Sequence, residues 1–322
     1  MPGSAHEKEN SRLLLQEKSL AKIELGFLCN NRCVFCAQGD LRKHSQLPLS
    51  NVVESSLKSA HELGHRSVCF VGGEPTMHEA LTTWIRLARD LSFDRVSIQT
   101  NGRRLSVQEY AAGLVEAGLT HVEISLQGHN ASLHDYHTRS PGSFRETAKA
   151  LLNLRDMQVE VGLTTVVTRS NYRLLEAVAV MSQRVGASAW HVCPAEAIGT
   201  ALDDRQRVVP NLMMAAPFIT RALQRCLESG VSTYMSGMPF CLLSDISALR
   251  AVELSDAAGG DRVFVDECER CAERTRCPGV SHAHAEHFGV AELEAIVNRE
   301  LKDLDVKEVG FPFSGIGEKL SD

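Results

Sequence analysis

From about residue 21 the chain alternates short apolar runs with longer amphipathic stretches. The run 21–28 predicts a strand. Residues 50–63 predict a helix with Ser50 as N-cap and Gly64 as its stop. Strand 67–71, helix 78–91 and strand 95–100 follow. A helix over 106–117 opens with Ser106 and Glu109 at the spacing of a capping box. The alternation continues as strand 121–126, helix 143–157, strand 159–168, helix 172–185, strand 189–193 and a longer helix near 214–229.

Repeated strand–helix units imply an α/β fold with a parallel sheet and helices outside. Six units are fewer than the eight of a closed barrel. Periodicity alone fits a partial TIM-like (β/α)6 barrel or a doubly wound sheet, and both place chemistry at the C-terminal ends of the strands. The pattern breaks after about residue 230. Residues 235–241 contain Gly and Pro, 256–261 predict a turn or loop, and 268–277 are dense in charge and cysteine. The expected organisation is a flexible lead-in over 1–20, a core over 21–230 and a small cysteine-rich module over 231–290. A last helix, 291–301, opens a tail to residue 322.

Composition narrows the class. The 322 residues are 43% apolar and carry a formal net charge of −6. That balance suits a soluble globular protein and proposes neither nucleic acid nor a membrane surface as partner. No signal peptide or membrane-length apolar run is visible, so the expected location is the cytoplasm. Ten cysteines in a reducing compartment point to metal or catalysis before disulfides.

Six of the ten fall in two tight groups. Cys29, Cys33 and Cys36 have the spacing C-x3-C-x2-C directly after the first predicted strand. Three thiolates on a short polar loop can hold three corners of a [4Fe–4S] cube and leave the fourth iron for a substrate. Zinc prefers four closed ligands, and core packing is the bland alternative.

This loop, with Phe35 before its last cysteine, resembles the radical SAM family. A second family motif, Gly72-Gly73-Glu74-Pro75, follows the second predicted strand. The glycines permit close backbone approach to a ligand, and Pro75 holds Glu74 extended. In the family this stretch binds the methionine amino group of S-adenosylmethionine. The resemblance covers about residues 21–195. It implies further cofactor contacts at later strand ends: Thr100, Ser125, Gln127, Arg169 toward the methionine carboxylate, and Asn171. An N-cap or turn role is the alternative for each. His129, His134 and His137 read as surface residues of a short helix.

The second group is Cys268-x2-Cys271-x5-Cys277, with Cys241 as a plausible fourth thiolate. Four thiolates can hold a complete second [4Fe–4S] cluster or a zinc ion. The region resembles the auxiliary-cluster extensions of the twitch and SPASM kind. His282, His284 and His287 read as a solvated or packed segment, and Cys69 and Cys226 as core or surface thiols. Cys193 closes the sixth predicted strand, in reach of a cofactor contact or a hydrogen-donor role.

The resemblance implies the rest. Reduced cluster and S-adenosylmethionine yield a 5′-deoxyadenosyl radical that takes a hydrogen atom from the substrate. A flavodoxin or ferredoxin supplies the electron. The substrate is read as a ribosomal peptide, with a small molecule such as a sugar, aminoglycoside or nucleotide as the alternative. The short stretch before the first strand suggests a separate peptide-binding partner and leaves no room for a cobalamin domain. A non-catalytic iron–sulfur or zinc protein is the reading from another class.

Overall fold

A computed structural model of the chain describes residues 20–44, 48–243, 250–251, 262–275 and 277–297. The described residues fall into two compact units. The first takes those up to Asn30, Leu41–Ile124 and Glu146–Val161. The second takes Asn31–Asp40, Ser125–Arg145 and those from Gly162 onward.

In the first unit β1 (Leu20–Glu24), β2 (Ser67–Val71), β3 (Arg95–Thr100) and β4 (His121–Ser125) lie side by side, parallel and in chain order. Ile23 sits opposite Phe70, Phe70 opposite Ile98, and Ile98 opposite Val122. Because side chains alternate across a strand, this register gathers the apolar positions on one face. The helices α1 (Ser50–Glu62), α2 (Leu81–Asp90) and α3 (Gln108–Ala117) add Leu57, Trp84, Ile85 and Leu114, all fully buried.

The second unit contains α4 (Ala131–Thr138). Further along the chain, α5 (Ser143–Arg155), which lies mostly in the first unit, leads into β5 (Glu160–Val167), whose run from Gly162 belongs to the second, followed by α6 (Leu175–Arg184), β6 (Ala189–Pro194), α7 (Thr200–Asp203), α8 (Arg205–Val208) and α9 (Leu212–Glu228). Then come β7 (Ser232–Met235) and the two-residue β8 (Arg250–Ala251). Strands β5 to β8 are again parallel neighbours in chain order. Helix α9 packs along α6, and Trp190 of β6 is fully buried with its indole N–H donated to Thr165 Oγ1 at 2.9 Å. A two-stranded antiparallel ladder, β9 (Arg262–Val263) with β10 (Val280–Ser281), precedes α10 (His282–Phe288). The fold class is α/β, of the partial-barrel kind that the sequence predicts.

Several boundaries differ. Leu49, not Ser50, is the residue before α1, and the Ser50 hydroxyl bonds Glu54 while accepting the Trp84 indole N–H. Ser106 does not cap α3. It ends a 3-10 turn, Arg103–Ser106, and Val107 stands at the cap without a side-chain bond. The helix expected from residue 78 begins at Leu81, because Pro75 first nucleates the 3-10 turn Pro75–Met77. Strand β7 was not foreseen. Its four residues between Gly230 and Gly237 are too few to display an alternation. Residues 291–297 are not helical, and the other residues expected in that helix lie outside the described ones, as do the turn at 256–261 and lead-in residues 1–19.

Candidate active site

The first unit sets Cys29 on the loop after β1. Gly26 and Leu28 accept the amides of Gly73 and Glu74, each at 2.7 Å. The backbones are in such close register that a Cβ on Gly72 would stand 2.5 Å from the Gly26 oxygen, and one on Gly73 2.3 Å from the Leu28 oxygen. The two glycines are thus demanded by the loop that leads to Cys29. Glu74 is extended, as a residue before proline should be, and is 1% exposed.

The Glu74 carboxylate is fully engaged by the protein. Its Oε1 accepts from Thr76 N at 3.1 Å, Thr76 Oγ1 at 2.6 Å and Thr100 Oγ1 at 2.6 Å, and its Oε2 from Asn101 N at 2.7 Å. Burial pushes the carboxyl above its ordinary value, and these donors act against that rise. The end of β3 thereby reaches the cysteine loop. Asn101 Nδ2 donates to Asn30 Oδ1 at 2.7 Å and lies 3.8 Å from Cys29 Sγ. Arg103 donates to the Asn30 carbonyl at 2.6 Å, and Arg42 to the Cys29 carbonyl at 3.1 Å. The sequence reading missed Asn30, Asn101 and Arg103. The polar run Asn30-Asn31-Arg32 and the pair Asn101-Gly102 were the available signal.

The second unit holds the other half of the loop. Arg32 and Val34 donate their amides to the carbonyls of Thr138 and His137, each at 2.9 Å, so the last turn of α4 carries the stretch that bears Cys33. Val34 is buried in an apolar cluster with Ala195, Ala201, Val208 and Val209, and Phe35 packs against it. The Cys36 carbonyl accepts from Gly39 N and Thr200 N. Among the described cysteines no disulfide forms, and Cys33 and Cys36 are half-buried.

His134 and His137 are not surface residues: both are buried on the inner side of α4. Their spacing of three places them on one helix face. His137 Nδ1 lies 2.7 Å from the Leu133 carbonyl, which can only accept, so Nδ1 carries the proton. Nε2 then accepts from Thr168 Oγ1 at 2.6 Å, and Thr168 Oγ1 accepts Ser170 N at 3.2 Å. Burial lowers the affinity of His137 for a second proton, in keeping with this neutral tautomer.

Other expected contacts are placed as follows. Ser125 ends β4, half-buried. Gln127 is buried, its Oε1 accepting Val166 N at 2.9 Å. Asn171 is buried and bridges loops: Nδ2 donates to the carbonyls of Val166 and Gln127, and Oδ1 accepts Thr168 N at 2.7 Å. The Arg169 side chain is exposed and donates to the Gln206 carbonyl at 2.6 Å. Cys193, near the end of β6, is half-buried with Sγ 3.9 Å from the Thr165 carbonyl.

Further along the second unit Cys241, Cys268, Cys271 and Cys277 line one cavity with Phe240 and Phe264. Cys241 lies in the turn after β7, and the other three share the loop between β9 and β10. Four soft thiols around one space are a donor set suited to a thiolate-ligated cluster. Among the described residues no group of three or more His, Cys, Asp or Glu converges as a single-ion site.

Residues 23–179 match the radical SAM superfamily. The chain is 29% identical over 165 residues to AdoMet-dependent heme synthase of Oleidesulfovibrio alaskensis, covering 51% of this chain and 42% of that protein. It is 26% identical to PqqA peptide cyclase of Rhodopseudomonas palustris, covering 59% and 50%. It is 32% identical to mycofactocin maturase MftC of Mycolicibacterium smegmatis, covering 51% and 42%. The match thus spans half or less of the length of these relatives. In fold it is similar to Streptococcus suis SuiB bound to precursor peptide SuiA, with a TM-score of 0.55, 16% identity, and coverage of 74% of this chain and 55% of that one.

Proposed function

We propose that this chain, whose residues 23–179 match the radical SAM superfamily, is a radical SAM enzyme acting on a ribosomal peptide. Cys29, Cys33 and Cys36 would hold the [4Fe–4S] cluster, and Gly72–Pro75 would meet S-adenosylmethionine through backbone groups, since the Glu74 carboxylate is already engaged. When bound, cluster and S-adenosylmethionine supply one-electron cleavage and a 5′-deoxyadenosyl radical that abstracts hydrogen from the substrate.

The observation that carries this reading is the anchoring of the cysteine loop. Asn101 and Arg103 hold Asn30, next to Cys29, while the last turn of α4 and Thr200 hold the stretch from Arg32 to Cys36. Within each unit these bonds fix the chain beside the cysteines, whose thiols are the ligands assigned by this reading. Gln127 and Asn171 shape the loops beside β5, with Phe35 packed against the apolar cluster of Val34 and Cys193 near the end of β6.

The four C-terminal thiols would hold an auxiliary [4Fe–4S] cluster in a module over 231–290. A flavodoxin or ferredoxin would deliver electrons in the cytoplasm, and a separate protein would present the peptide. The peptide reading draws on PqqA peptide cyclase, MftC and SuiB bound to SuiA. The heme synthase relatives favour a small molecule as the second reading. Anaerobic reconstitution with iron and sulfide analysis, coupled to a 5′-deoxyadenosine assay under dithionite, tests the proposal. About eight irons per chain with 5′-deoxyadenosine formed is the expected result. A filled cluster without 5′-deoxyadenosine, with or without candidate peptide and small-molecule substrates, would overturn it.

A further inference from the structure

The segment Leu293–Ile296 lies within the predicted helix, yet it is not helical and lines the cavity of the four C-terminal cysteines. Ile296 clasps the cysteine loop twice. Its amide donates to Cys271 Sγ at 3.4 Å, and its carbonyl accepts Ala272 N at 2.9 Å. Glu294 and Ile296 both line the cavity with the four cysteines. Leu293 is buried and fixes the approach.

Amide N–H groups directed at cluster sulfurs stabilise added negative charge, so they favour the reduced state of whatever redox centre the thiolates hold. A helix over the same residues would bury those amides in its own ladder and offer none to the thiols.

We propose that Leu293–Ile296 is a strap that closes the four-thiol site and, through the Ile296 amide, raises the reduction potential of the centre held there. This rests on the auxiliary-cluster reading and deepens it. The strap is a positioning element: it touches the ligands and not the substrate. With four thiolates supplied and one edge strapped, the centre is a closed redox site and not a substrate-ligating one.

The test is a potentiometric titration, followed by electron paramagnetic resonance, of the full chain reconstituted anaerobically. Wild type, Ile296→Pro and Ile296→Val are compared, with iron, sulfide and zinc counted in each. Proline removes the amide, and valine keeps it. Two centres are expected in wild type. Ile296→Pro should shift one couple to more negative potential and leave the other in place, and Ile296→Val should match wild type. Two centres with both couples unmoved by proline would overturn the strap and leave the second cluster standing. A wild type with about four irons and one zinc would overturn both strap and cluster.

Should the proline variant fail to load, hydrogen exchange on the wild type decides. Amides in 290–297 should exchange about tenfold more slowly in the loaded protein than after chelation. Equal exchange in the two states would overturn the strap.

Discussion

Gly199 stands against the carbonyl of Cys36: a Cβ on Gly199 would lie 2.2 Å from that oxygen. The next residue, Thr200, donates its amide to the same oxygen at 2.9 Å. Gly199 has φ +52° and ψ −130°, a conformation that a side chain strongly disfavours. Gly39, also at positive φ, approaches from the other side, and a Cβ there would stand 2.8 Å from the Gly199 Cα. Gly199→Ala should therefore cost roughly 2 kcal/mol or more and displace the Cys36 end of the loop. Thermal unfolding and iron per chain after reconstitution check this. Wild-type values in both would show that the loop has slack.

The buried carboxylate of Glu74 makes its donors costly to lose. Thr100→Val removes a 2.6 Å bond and should destabilise by about 1–3 kcal/mol in urea unfolding. Glu74→Gln should cost at least as much, because one carboxylate oxygen becomes an NH₂ group among donors. A near-neutral result for both would mean that water replaces the lost bonds.

Acid sensitivity should trace partly to α10. Burial and the neighbouring His287 hold His284 at about 4, below its ordinary 6.5. The folded state thus binds this proton less readily than the unfolded chain. Its contribution to stability is fully present above about 6.5 and is lost as pH falls through about 4, a loss of no more than ~3 kcal/mol. His284→Gln should narrow the difference in unfolding free energy between about pH 7 and about pH 4.5. An unchanged difference would assign the acid sensitivity to other groups.

The two cysteine groups should separate on substitution. Cys33→Ala should abolish 5′-deoxyadenosine formation under dithionite. Cys271→Ala should retain part of that cleavage and lose product. Full product yield from Cys271→Ala would remove the redox role from the second group.

The motifs that name the chemistry are local, and local patterns are what a sequence displays. Cys29, Cys33 and Cys36 need only their spacing, and strands β1 to β6 need only their apolar runs. Contacts made at long range were less visible. Asn101 meets Asn30 across 71 positions, and the local polar runs that mark each residue do not show that the two pair. Gly199 reads as an ordinary loop glycine until Cys36 is seen beside it. His134 and His137 read as polar by composition, although their spacing already put them on one face. Leu293–Ile296 has helical periodicity, but its backbone groups serve the cysteine loop instead.

The alternation in β1 to β4 also divides the chain for anyone who would redirect it. Ala21, Ile23, Val68, Phe70, Val96, Ile98, Val122 and Ile124 form one buried apolar face. Lys22, Glu24, Gln99 and Glu123 occupy the opposite parity. The apolar framework and the polar opposite face are therefore encoded on interleaved codons. A library that randomises only Lys22, Glu24 and Gln99 would vary that polar face while the buried Glu123 and the scaffold's own packing are inherited unchanged.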